Sequence, residues 1–293
     1  MSGGMSGGMK QQSMLFVPAS SPDKFLKALG SQAGAIILDL EDSVAPAAKP
    51  AARQALAQML ATPRTKPVWV RVNALSTGLL LDDLVAAVRA RADGIVLPKC
   101  CGRETLLPVS HYLDALEAAE GISPGHTQIL AIATETAQSL FRAGEYAGIT
   151  SRLWGLAWGA EDLSADVGSF TNKDGQAYTE PYRLARSLCL YAAAAAGVRP
   201  IDAVCVSLGD TALVRQEAQE AFRDGFVGKM AIHPAQLAPI NEAFTPSAEQ
   251  KAWASRVIAA FDAHPAQGAL NLDGQMIDVP HLRLARRILE GGA

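Results

Sequence analysis

Eight short apolar runs, four of them closed by a polar or charged residue, limit what this chain can fold into more than any other feature. They fall at residues 14–18, 35–42, 68–73, 94–99, 129–135, 153–159, 201–208 and 228–234. Apolar runs of this length bounded by turn residues read as strands buried on both faces, as in parallel sheets. Between them lie stretches of helical periodicity at 22–29, 46–60, 80–91, 105–120, 136–146, 182–197 and 213–224. About eight strand-helix units in one direction, with no internal linker, is the rhythm of an α/β TIM (β/α)8 barrel.

Roughly 45 residues remain after Pro246, more than a finished barrel of this kind requires. They predict an amphipathic helix over 249–263, an irregular or strand-like arm over 269–276, and a final helix over 279–289 with Pro280 in its first turn. The expected organisation is therefore a disordered leader (1–12), a barrel (13–245) and a C-terminal helical arm or lid (246–293). An apolar helix appended to a complete barrel needs a surface to dock on, which points to a neighbouring subunit and a homo-oligomer.

A formal net charge of -3 and the absence of any Lys/Arg cluster exclude nucleic acid and anionic membrane as the main partner. No apolar run is long enough to span a membrane, and the opening Met1-Ser-Gly-Gly lacks the basic start and apolar stretch of a signal peptide. Cys100, Cys101, Cys189 and Cys205 form no Cys-x-x-Cys pattern and read as reduced, cytoplasmic thiols. The five histidines lack the spacing of a zinc helix.

In a TIM barrel chemistry sits at the C-terminal ends of the strands. Asp39, Glu41, Asp42, Arg71, Asn73, Lys99, Glu135, Asp162 and His233 all fall there. Period-two geometry places Asp39 and Glu41 on one face, and Arg71 with Asn73 on another. Two successive strands then deliver Glu135 and Asp162 to the same end of the sheet. Neighbouring strands run ~4.8 Å apart, so these two acids can share one divalent cation, and hard oxygen ligands suit magnesium. The competing reading is that Glu161 or Asp162 merely complements the start of the next helix.

The motifs Leu15-Phe-Val-Pro18, Leu38-Asp-Leu-Glu-Asp-Ser-Val44, Val70-Arg-Val-Asn73, Gly94-Ile-Val-Leu-Pro-Lys99, Glu135-Thr-Ala137, Trp158-Gly-Ala-Glu-Asp-Leu163, Ile232-His-Pro234 and Met276-Ile-Asp-Val-Pro280 resemble the citrate lyase beta subunit-like family. That family includes malyl-CoA and citramalyl-CoA lyases and lies within the HpcH/HpaI aldolase superfamily. The resemblance runs in order from about residue 13 to residue 290. It implies a magnesium-dependent carbon-carbon lyase acting on a CoA or acyl-carrier thioester and releasing a 2-oxo acid.

By the same resemblance Glu135 and Asp162 are the metal ligands, and Arg71, with Asn73 and Glu135, binds substrate. Arg71 grips the oxo-acid fragment bidentately, while the acidic motif containing Glu41 supports the metal's waters and the arginine. Asp278 is the acid a neighbouring subunit contributes for proton transfer, and a trimer or hexamer is implied. Ala19, Gln12 and Cys100-Cys101 depart from the usual pattern at the flanks of the mouth. Lys24 and Lys27 are phosphate contacts or, as the structural alternative, a solvated helix face. Alternatives within the same site are an aldolase on free 4-hydroxy-2-oxo acids, thioester hydrolysis after condensation, or a lyase-complex subunit without independent activity.

Overall fold

The computed structural model describes residues 11–290. Eight parallel strands close into a barrel: β1 (Ser13–Pro18), β2 (Ala35–Asp39), β3 (Val68–Arg71), β4 (Gly94–Leu97), β5 (Gln128–Ile132), β6 (Leu153–Ala157), β9 (Arg199–Asp202) and β10 (Gly228–Ala231). Between β6 and β9 the chain inserts a small antiparallel hairpin, β7 (Lys173–Asp174) and β8 (Ala177–Tyr178), which the sequence reading left unassigned. Helices α1 (Pro22–Leu29), α2 (Lys49–Leu60), α3 (Leu80–Arg89), α4 (Gly102–Ala119), α5 (Ala137–Leu140), α6 (Ala160–Asp166), α7 (Glu180–Ala196), α8 (Thr211–Asp224) and α9 (Leu237–Ala243) follow the strands.

Alternation along each strand explains why both faces are apolar. Met14, Ile37, Trp69, Val96, Leu130, Ile201 and Met230 fill the barrel interior. Their neighbours Leu15, Ile36, Leu38, Val68, Val70 and Ile95 pack outward against the helices. Trp69 occupies so much of the interior that a Cβ on Gly94 of the adjacent strand would stand 2.3 Å from its ring, so that position has room for glycine alone.

Beyond the barrel, α10 (Ala248–Ala263), the hairpin β11 (Ala269–Leu272) and β12 (Gln275–Asp278), and α11 (Val279–Glu290) form an arm. The arm has its own small core of Ala254, Val257, Phe261, Ile277 and Ala285. Met276, Val279, Leu284 and Leu289 on it stay exposed. No helix among the described residues is long and apolar enough to cross a membrane.

Three local expectations change. The run 201–208 forms a strand only over Arg199–Asp202, and the rest is an irregular exit loop. The helix expected over 136–146 breaks into α5 and a short 3-10 turn, Ala143–Glu145. Gln11 and Gln12, expected in the leader, are tied to the barrel: Gln11 accepts from the Trp69 indole at 3.0 Å, and Gln12 donates to the Phe244 carbonyl at 2.8 Å. Residues 1–10 lie outside the described residues.

Candidate active site at the barrel mouth

Arg71 is the best-anchored side chain at the mouth. Its Nε and Nη2 donate to the two oxygens of Asp39, each at 2.7 Å, across the β2–β3 register that pairs these residues. Its Nη1 stands 3.2 Å from Glu41 and 3.3 Å from Asp42. Phe16 lies against the guanidinium, 4.8 Å from ring centre to carbon. Burial opposes charge on both partners, yet Arg71 holds the Asp39 carboxyl below the usual carboxylate range, and Asp39 in turn raises Arg71. Asp39 thus occupies the Nε/Nη2 edge of the guanidinium, and the outer edge, with Nη1, lies beside Glu41 and Asp42.

Glu41 sits in the loop after β2 and is buried. Its carboxyl is raised by burial despite Arg71 and the Lys99 ammonium, 2.9 Å away. Lys99 reaches Asp162 as well, at 3.1 Å. Its φ of +50° lies in the left-handed region that side-chain-bearing residues avoid, a strain of about 1–3 kcal/mol. The same residue's backbone N–H donates to Glu135 at 2.6 Å.

Glu135 follows β5 and is only 3 % exposed. Burial, then the nearby charge of Asp162, push its carboxyl up to about 8. The chain makes room for it with Gly159, whose absent Cβ would stand 2.7 Å from the Glu135 Cγ. Asp162 lies in the first turn of α6 rather than in a loop, so the helix-start position and nearness to Glu135 hold together.

These side chains surround a cleft of about 410 Å³. Its lining is polar at Asp39, Asp42, Ser43, Arg71, Glu135, Glu161 and Asp162 and apolar at Phe16, Ile132, Val204, Met230 and Ile232. Asp39, Glu41, Asp42, Glu135 and Asp162 stand against two cations, Arg71 and Lys99. An excess of carboxylate oxygen, with Glu135 raised by burial and then by the charge of Asp162, suits a hard divalent cation. Among the described residues no group of three or more His, Cys, Asp or Glu side chains stands close enough to hold a metal unaided. A cation between Glu135 and Asp162 would complete its shell with water and substrate oxygens, the usual habit of magnesium.

Several expected residues lie elsewhere. Asn73 does not reach the cleft. β3 ends at Arg71, so the alternation that paired them on one face stops there. Its amide donates to Asp83 at 2.6 Å and Leu40 at 3.1 Å, and its oxygen accepts from Lys49 at 2.7 Å. Asn73 thus braces the Leu40–Glu41 backbone from beneath. His233 caps a 3-10 turn, accepting from the Ala235 N–H at 3.2 Å. Asp278, at the end of β12, pairs with His281 at 2.6 Å and is not among the residues that line this chain's cleft. Sequence reasoning missed Lys49, whose buried ammonium also donates to the Leu40 and Glu41 carbonyls, each at 2.7 Å. No motif marks that contact, because it joins a helix start to a strand exit.

The family model for HpcH/HpaI aldolase/citrate lyase matches residues 12–234. The citrate lyase subunit beta of Escherichia coli K12 is 34% identical over 283 residues, covering 95% of this chain and 92% of that protein. The mitochondrial citramalyl-CoA lyase of Rattus norvegicus is 32% identical over 297 residues, covering 95% and 85%. A crystal structure of protein CitE from Mycobacterium tuberculosis, in complex with magnesium, acetoacetate and coenzyme A, superposes with a TM-score of 0.80 at 35% identity, covering 97% of this chain and 98% of that one.

Proposed function

We propose a function from one premise: the chain belongs to the HpcH/HpaI aldolase/citrate lyase family, and within it acts as a carbon-carbon lyase on a CoA thioester. The substrate is a β-hydroxyacyl thioester of the citryl, malyl or citramalyl type, split into an acyl thioester and a 2-oxo acid, or formed from them. The observation that carries this reading is the buried Glu135 beside Asp162, lining one cleft with an Arg71 fixed by Asp39. Magnesium is the cofactor we assign, held by Glu135 and Asp162; the CitE structure bound to magnesium and coenzyme A supports that assignment by likeness.

Glu135 and Asp162 would hold the metal, which when bound would lower the pKa of the substrate hydroxyl and favour the emerging carbonyl. The outer edge of Arg71 binds the oxo-acid carboxylate. Asp39 keeps the guanidinium in place, and Glu41 sets the Lys99 ammonium beside Asp162. The apolar wall of Phe16, Ile132 and Met230 keeps water from the carbon chain as the bond breaks. Asp278 takes or returns the proton at the acyl carbon from a neighbouring subunit, because its own chain leaves it away from the cleft. We assign a cytoplasmic homo-oligomer, trimer or hexamer, whose contacts cover the exposed apolar residues of the arm.

The test is turnover of malyl-CoA, citramalyl-CoA and citryl thioesters, with and without magnesium, beside free 4-hydroxy-2-oxo acids. Metal-dependent release of a 2-oxo acid from a thioester is the expected result. Turnover confined to free oxo acids contradicts the thioester assignment.

A further inference from the structure

Behind the acidic mouth the contacts close on themselves. The Trp158 indole donates to Asp202 at 2.7 Å, and Asp202 pairs with Lys229 at 2.8 Å. Lys229 stands 3.1 Å from Glu217, and Glu217 pairs with Lys173 at 2.7 Å. The Lys173 ammonium lies 4.5 Å from the centre of the Tyr178 ring, and Tyr178 meets Trp158 edge to face at 5.0 Å. Trp158 directly follows β6, and the other five residues come from β9, α8, β10 and the hairpin β7–β8. Their side chains are largely sealed from water: Lys229 is 2% exposed, Asp202 3% and Glu217 9%.

Sealing this many charges is a poor route to stability, since well-packed apolar groups of similar volume often do as well or better. The ring joins the two ends of one connection. Trp158 immediately precedes Gly159 and the turn into Asp162. At the other end Asn172, immediately before the hairpin, donates its amide to Glu161 at 2.8 Å. Both Trp158 and Glu161 line the cleft.

We propose that Asp202, Lys229, Glu217 and Lys173 are positioning residues, which through Trp158 and the hairpin hold the Gly159–Asp162 turn where Asp162 and Glu135 can bind one divalent cation. The inference rests on the assignment of those two acids as the metal's ligands. Partners standing behind ligands typically alter metal affinity by about 10–100-fold when removed.

The experiment is a calorimetric titration of the full chain with manganese, beside its melting temperature. Trp158→Phe keeps the ring but loses the N–H donor. Lys173→Met opens the ring at its least buried charge, leaving Glu217 paired with Lys229, and Lys173→Arg is the conservative rescue. The expected result is manganese affinity about tenfold weaker in Trp158→Phe and Lys173→Met, with affinity recovered in Lys173→Arg. Affinities of folded Trp158→Phe and Lys173→Met within twofold of wild type overturn the inference, whether or not their melting temperatures fall. If Trp158→Phe does not fold, the Lys173 pair decides alone. Wild-type protein that binds no manganese refutes the metal assignment instead, and the ring proposal falls with it.

Discussion

Replacing Gly159 with alanine isolates the fit between two strand exits. At φ -135° and ψ 121° the backbone accepts alanine without strain, so any cost comes from contact. The new methyl would stand 2.7 Å from Glu135 Cγ and 3.2 Å from Oε1, whereas carbon atoms settle at about 3.5–4.0 Å. Glu135 must therefore retreat by roughly 1 Å, away from the Lys99 N–H that it accepts from at 2.6 Å. Overpacking of this kind costs about 1–3 kcal/mol, partly offset by about 0.4–1 kcal/mol from the stiffer unfolded chain. In a Glu135→Ala background the clashing atoms are gone, and the same substitution should be neutral or slightly stabilising. Urea unfolding of wild type, both single variants and the double variant forms a cycle, with a coupling of about 1–3 kcal/mol expected. Equal cost in both backgrounds would refute the reasoning.

Arg71→Lys keeps the charge but loses the two-pronged hold on Asp39, and kcat/KM should fall about 100-fold while manganese affinity, measured by titration, stays within a few-fold. Glu117 accepts from Arg152 and from the Gly125 and Thr127 N–H groups; burial alone would raise its carboxyl, but these partners hold it below its ordinary 4.5. A depressed carboxylate contributes stability that is complete above that ordinary value and lost as pH falls through the folded one. Glu117→Gln should thus lose about 3 kcal/mol at neutral pH and show a flatter acid limb when melting temperature is followed from pH 6 to 3; an unchanged limb contradicts the assignment. Cys100, Cys189 and Cys205 are buried, and burial pushes the Cys100 thiol up to about 12, so native protein should label with iodoacetamide at the half-buried Cys101 alone, as peptide mapping would reveal.

The barrel was legible because its signal is local: apolar runs of strand length recur eight times, half of them with a polar end. The same rule brought Arg71, Glu135 and Asp162 to one cleft. It failed two residues further along β3, where the chain leaves strand geometry and Asn73 turns under the mouth instead of into it. Lys49, the Trp158–Asp202 bond and the hairpin β7–β8 were illegible for other reasons. The Trp158–Asp202 bond joins residues distant in sequence, the hairpin's two-residue strands are too short to show a period, and a lysine at a helix start looks the same whether solvated or buried. The arm's helices were read from periodicity, but its β11–β12 hairpin was anticipated only as irregular or strand-like chain.

A crystal of the full chain soaked with manganese and a 2-oxo acid tests the central claim most directly, through the metal's anomalous scattering. The account predicts one strong peak touching the Glu135 and Asp162 carboxylates, with the oxo acid between that peak and the outer edge of Arg71. A peak on other residues, or carboxylates too far apart to meet one ion in the soaked crystal, would contradict it.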